Sequence, residues 1–349
     1  MNKILFLVSL AWSVSFAQTG PTYAERLAWG KNDRVLILHM DDAGMSHDSN
    51  LGIERVLEKG AARSLSVMMP TPWVPEIVHY INAHPATDAG LHLTLTSEWH
   101  EYRWGPVAGI LAVPGLVDPE GAMWSSVAAV VEHANAFEVD REMRTQLERA
   151  EGMGFHPTHL DTHMGTVYAS PGFLERYVQL GIEKHIPVMI PGGHDTYIYA
   201  DRNAARVAEL KKAGKYREGM TPPEDPMVAP VRALAAKLWE AGLPVLDDLH
   251  NTSYDWKVPP DAVNDDEKLR RWRTDRYMET LAELKPGLTM VIMHCTAPTE
   301  VFASISSSGA LRKADMLAML DSRFQAFLKE QGFIVTTWRE AMERRGRVK

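Results

Sequence analysis

Eight short apolar or β-branched runs punctuate the sequence, at 35–39, 64–69, 89–95, 158–161, 187–190, 244–247, 289–294 and 334–337. Between several of them lie stretches of helical periodicity, at 51–58, 75–84, 141–152, 171–184, 228–240, 265–284 and 313–330. Parallel strands need a long return connection, and a helix is the usual one, so this alternation predicts a parallel sheet with crossover helices. Seven or eight strands joined this way predict a closed or nearly closed barrel.

Two stretches break the rhythm. Residues 97–126 are rich in Gly, Pro and Trp and begin "SEWHEYRWGPVAG"; residues 192–226 contain "GGHDTYIY" and "GMTPPEDP". Both follow expected strands directly, where a barrel builds its active-site loops. There is no internal repeat and no low-complexity tract. From residue 18 to 349 the chain is therefore expected to form one domain with elaborated loops.

The first residues predict something separate. Lys3 is followed by an apolar run from Ile4 to Phe16, with Ser15 and Ala17 placed for cleavage after Ala17. The run is too short for a comfortable membrane span, so 1–17 is expected to be a secretory signal peptide. The remainder should then be exported, periplasmic or secreted, with no membrane association. With Cys295 as the single cysteine, no intramolecular disulfide can form, and stability must come from a packed core. A formal net charge of −8 excludes the basic footprint that nucleic-acid binding needs.

Chemistry enters at the strand ends. The first run ends in His39, Asp41 and Asp42; the third contains His92; the fourth carries His159, Asp161 and His163; the sixth leads into Asp247, Asp248 and His250; the seventh ends at His294. One histidine in a strand is commonly a hydrogen-bonded core residue. In a parallel sheet, however, all these ends meet at one face, and their coincidence points to a site. Asp and His together suit a divalent ion with open positions, which acidifies its bound water, while an adjacent carboxylate can serve as general base. Asp41 and Asp42 would point to opposite faces of a regular strand, so sharing a site requires the strand to end there.

These pieces resemble the YdjC family of carbohydrate deacetylases, which includes chitooligosaccharide and hopanoid-biosynthesis deacetylases. The resemblance is carried by "HMDDAGMS" with Asn50, Gly52 and Ile53, "GLHLTLT" (90–96), "PTHLDTH" (157–163), "MVIMHC" (290–295) and the block 312–341, in order and over nearly the whole chain after residue 17. It implies a distorted (βα) barrel related to polysaccharide deacetylases. It implies one divalent ion, Zn²⁺ or Mg²⁺, held by Asp42, His92 and His163. Asp41 would be the base that activates water, His294 the acid that protonates the leaving amine, and the reaction the removal of acetyl groups from N-acetylated sugars. The chain departs from the family where Met164-Gly165-Thr166 replaces further histidines and where His294-Cys295-Thr296 replaces His-Pro-Gly.

Beside the cluster, Asp161 and His39 are expected to orient ligands from behind. Trp99 and Trp104 are candidates to stack on a sugar, sharing their loop with Trp124, His100, Tyr102 and Arg103. Cys295 is expected to be buried and inert, because neighbouring strand residues point apart. Asp247 and His250 are further candidates for the pocket. A homo-oligomer is compatible with the sequence. Two alternatives remain open: a metal-independent glycosidase using Asp42 with Asp161 or Asp248, and a non-catalytic carbohydrate-binding barrel.

Overall fold

The computed structural model describes residues 20–217, 220 and 228–348, so the expected signal segment 1–17 lies outside the described residues. Seven strands form one sheet: β1 (Arg34–Ala43), β2 (Ser64–Val67), β3 (Asp88–Leu93), β4 (Leu160–Thr162), β5 (Asp248–His250), β6 (Gly287–Met293) and β7 (Ile334–Val335). The order is β4-β3-β2-β1-β6-β5, every pairing is parallel, and β7 adds two residues to β1. The sheet path thus holds six strands rather than the seven or eight expected of a barrel.

The missing stave is the run at 187–190. Pro187 opens it and Pro191 follows it, and neither has an N–H to give a ladder. What remains are single bridges: Met189 N–H donates to Leu160 O (2.9 Å) on one side, and Leu246 N–H donates to Ile190 O (3.2 Å) on the other. These link the two edge strands, so the curled sheet is joined across its gap by a few bonds instead of a regular strand. The run expected at 244–247 gives only the approach to β5, which begins at Asp248.

Side-chain alternation sorts the sheet into two faces. On β1, Leu36, Leu38 and Met40 join Leu65, Val67, Leu91 and Leu93 in the large cluster beneath the helices. Val35 and Ile37 instead join Leu288, Met290, Ile292 and Trp338 on the inner face. Continuing that parity carries His39 and Asp41 inward on β1, Ser64 and Ser66 on β2, His92 on β3, Asp161 on β4 and His294 just beyond β6. Cys295, of opposite parity, packs into the outer cluster, and burial raises its thiol well above the usual range.

Glycine matters at two close approaches. Inner-facing Gly90 leaves room for His159, whose Nε2 would lie 2.3 Å from an added Cβ. Gly52, inside the helix His47–Lys59, lets that helix lie against the backbone of Thr296, 2.6 Å from an added Cβ. The expected helices fall close to their positions, short unexpected ones are added at Tyr23–Arg26, Val127–His133 and Trp338–Arg345, and two larger differences stand out. The pattern at 313–330 is two helices, Gly309–Leu320 and Ser322–Glu330, because Asp321 leaves the helical region and caps the second through Arg323 N–H. The stretch 192–226, expected as loop, contains the helix Thr196–Lys212. Among the described residues, no helix is long and apolar enough to cross a membrane.

Candidate active site

The inner face opens at the C-terminal strand ends into a cavity of ≈ 680 Å³, whose lining includes Asp41, Asp42, His92, His163, His294 and Arg312. Five residues expected from the sequence therefore meet in one place. Parity alone would have sent Asp42 outward. β1 in fact does not end at the carboxylates: it continues to Ala43, its register with β2 shifts between Met40 and Ala43, and Asp42 takes φ 65°. Asp tolerates this left-handed conformation better than most residues, and the irregularity turns the second carboxylate inward beside the first.

Asp42, His92 and His163 converge. Asp42 Oδ1 lies 3.4 Å from His92 Nε2 and 3.3 Å from His163 Nδ1, and those two nitrogens are 3.3 Å apart. Asp42 Oδ1 is buried with no hydrogen-bond partner. Neighbouring ligands on one small divalent ion stand roughly 2.9–3.4 Å from each other at metal–ligand distances of about 2.0–2.1 Å, so this donor set fits such an ion. Electrostatics point the same way. Burial by itself would depress both imidazoles, but Asp161 and Asp41 raise His92 well above its usual value, and Glu98 and Asp42 raise His163 to about 9. The pocket favours positive charge.

Behind these donors lies a second polar layer. Asp161 and His92 are register partners on β4 and β3, and Asp161 Oδ1 accepts from His92 Nδ1 at 2.8 Å, which leaves Nε2 to face Asp42. The other carboxylate oxygen is 2.9 Å from His39 Nε2, itself 3.2 Å from Asp41 Oδ1, while His39 Nδ1 meets Ser64 Oγ at 2.9 Å. His39 thus bridges Asp41 and Asp161 from the inner face.

His294 sits 3.9 Å from Asp42 Oδ2, and burial followed by the Arg312 charge lowers its proton affinity against the pull of Asp42 and Asp41. Its position is set from the helix Gly309–Leu320. Asp315 Oδ2 accepts the His294 backbone N–H (3.0 Å), and Asp315 Oδ1 accepts from Arg273 Nε and Tyr277 OH, both at 2.6 Å. One turn earlier, Arg312 Nη1 donates to Asp42 Oδ2 at 2.6 Å, and both side chains are buried. The guanidinium therefore holds one carboxylate oxygen of Asp42 and leaves the other to the imidazoles.

Sequence reading missed Glu98, Arg312 and Tyr254, all of which line the cavity. Glu98 brackets His163 Nε2 with both oxygens at 3.0 Å. In the sequence it is one more acid in a Trp-rich loop. Arg312 is 270 positions from Asp42 and on a helix, where no strand-end signal could flag it.

Several candidates do not belong to the site. Trp104 is buried among Met45, Met68, Met123 and Phe302 and donates its indole N–H to Thr96 O (3.0 Å), so it pins the loop and has no face for a sugar. Trp124 stacks on His133, and the His100 side chain is almost wholly exposed beside Glu101. Tyr102 donates to Met45 O, and Arg103 pairs with Asp118. Among the described residues, Trp99 alone of the tryptophans lines the cavity, its ring centroid 6.5 Å from that of His163. Asp247 is buried, accepting Tyr23, Ala24 and Leu288 N–H groups, and His250 is packed between Tyr197 and Trp256; neither lines the cavity. Asp161 lies beneath the floor, and Asp248 accepts Tyr197 N–H, so neither of the two pairs considered for a glycosidase, Asp42 with Asp161 or Asp42 with Asp248, faces across the cavity.

The family model described as YdjC-like protein matches residues 35–330. A carbohydrate deacetylase of Thermus thermophilus is 30% identical over 91% of this chain and 97% of its own length. A chitooligosaccharide deacetylase of Yersinia enterocolitica is 26% identical over 55% of this chain and 73% of its own. A solved structure from Enterococcus faecalis, assigned to cellobiose-phosphate cleavage, superposes with a TM-score of 0.62 at 18% identity, covering 88% of this chain and 98% of that one. That likeness speaks to the fold.

Proposed function

The chain belongs to the YdjC-like protein family, and on that premise we propose that it is a metal-dependent hydrolase that removes the acetyl group from an N-acetylated sugar or short oligosaccharide. The observation that carries the reading is the convergence of Asp42 Oδ1, His92 Nε2 and His163 Nδ1 within 3.4 Å of one another, open to a cavity of sugar size. When bound there, Zn²⁺ or Mg²⁺ supplies Lewis-acid chemistry, acidifying water and polarising the amide carbonyl.

The chain's own groups do the rest. Asp41 lines the cavity within 3.8 Å of His92 Nε2 and is backed by His39, and it takes the proton of the attacking water. His294, held through its backbone by Asp315, delivers a proton to the departing nitrogen, so that acetate and a free amine leave. Arg312 fixes Asp42 in the orientation that presents Oδ1. Trp99 offers an indole face to the sugar ring. The segment 1–17, with its charged start and apolar run, directs export, and cell fractionation of the full-length chain, with N-terminal sequencing of the product, tests that part.

The test of the reaction is acetate release from N-acetylglucosamine mono- and oligosaccharides, before and after chelation, with metal content measured on the same sample. Release should stop on chelation and return with one added ion, and His92→Ala or His163→Ala should lose both the metal and turnover. Unchanged turnover in either variant would sink the assignment.

A further inference from the structure

Asp195 occupies the N-cap of the helix Thr196–Lys212, where an aspartate ordinarily accepts the first free N–H groups of the helix. It does not do so. Its backbone is left-handed, φ 52° and ψ 35°, and its side chain makes no capping bond. The cap is supplied across space by Asp248 of β5, whose two oxygens accept Tyr197 N–H at 3.2 and 3.0 Å. Asp195 is held in place by its main chain, N–H to Asp247 O at 2.9 Å. Its carboxyl is relieved of the usual duty, 6% exposed, and lines the cavity; Oδ1 is buried with no hydrogen-bond partner. None of the hydrogen bonds and ion pairs among the metal-ligand candidates and their backing residues involves it.

We propose that Asp195 is a substrate-binding residue that hydrogen-bonds a hydroxyl or acetamide group of the sugar on the β5 side of the cavity, thereby setting specificity without taking part in the chemistry. A buried group lacking a partner is costly, and a ligand that supplies one recovers that cost on binding. The chemical class follows from the surroundings. Burial, then the neighbouring Asp248, pushes this carboxyl up to about 8, opposed by Arg232 and Arg202, so near neutrality it is a neutral acid able both to donate and to accept. Sugar hydroxyls and acetamides have the same dual capacity. Met189, Pro191, Ile198 and Leu249 line the same cavity and offer apolar surface to the faces of a ring.

This inference rests on the proposed deacetylase reading, and the experiment separates the two. Asp195→Ala and Asp195→Asn are compared with the wild type in acetate release from di-N-acetylchitobiose, and calorimetry gives the dissociation constant of the same sugar for each protein. Asp195→Ala should raise KM and Kd about five- to tenfold, the scale of one hydrogen bond lost from a water-poor site, with kcat within twofold. Asp195→Asn, neutral and isosteric, should stay within threefold on every parameter. Unchanged Kd and KM in Asp195→Ala, a loss confined to kcat, or equal losses in both variants would overturn it. If the wild type releases no acetate, the deacetylase reading fails, and the calorimetric comparison still decides the role of Asp195.

Discussion

The buried pair behind His294 offers the most demanding test of how the site is held. Arg273 and Asp315 side chains are both fully buried, Nε to Oδ1 2.6 Å, and the guanidinium also donates to Ser253 O at 2.8 Å and lies 4.7 Å from the Trp256 ring centroid. Arg273→Met keeps much of the volume and removes the charge. Breaking a buried pair by deleting one partner costs about 3–5 kcal/mol, because the other charge is stranded. Here Asp315 keeps two donors, Tyr277 OH and the His294 N–H, which places the loss near the lower end, at about 3 kcal/mol. Asp315→Asn strands the guanidinium instead and should cost a similar amount. The double variant leaves no stranded charge, so its loss should fall short of the sum by on the order of 2 kcal/mol. Urea unfolding of the chelated proteins at neutral pH gives the three values. Because Asp315 fixes the His294 backbone, Asp315→Asn should also lower kcat more than it changes KM. Losses that add to within about 0.5 kcal/mol would show that the pair is not coupled and refute the reasoning.

Two further outcomes are expected. His250 is buried without a partner for Nδ1, and burial, followed by the Arg273 charge, lowers it to about 4. Its folded value lies below the unfolded one, so the stability linked to it is complete above about pH 6.5 and fades as pH falls toward 4, by on the order of 1–2 kcal/mol at pH 5; His250→Leu should flatten that part of the urea-midpoint profile, and a slope equal to wild type would contradict it. Trp99→Ala should raise KM while leaving the unfolding midpoint nearly unchanged, whereas Trp104→Ala should cost about 3–5 kcal/mol of stability; a KM effect confined to Trp104 would reverse their assigned roles.

The sequence determined more of the site than of the sheet. Period-2 alternation on 35–41 and 288–294 already fixes which residues share the inner face, since side-chain direction along a strand is local geometry. His39, Asp41, His92, Asp161, His163 and His294 were therefore legible as strand-end groups, and strand–helix alternation made the sheet parallel. Ranges along most of the helices were equally local; the exceptions are the break at Asp321, where a capping aspartate inside a continuous helical pattern gives no periodic signal, and the helices Val127–His133, Thr196–Lys212 and Trp338–Arg345, which the helical periodicity did not announce.

Only the tertiary structure decided the remainder, because those features depend on pairs far apart in the chain. Asp42 turns inward through a register shift against β2 and a left-handed backbone, neither of which its neighbours in sequence announce. Arg312 reaches Asp42 across 270 positions, and Asp248 frees Asp195 by capping a helix that starts more than 50 residues earlier. Trp99 and Trp104 look alike in the sequence; one lines the cavity and the other fills the space beneath Met45 and Phe302, because burial is settled by what packs over a loop and not by what the loop contains.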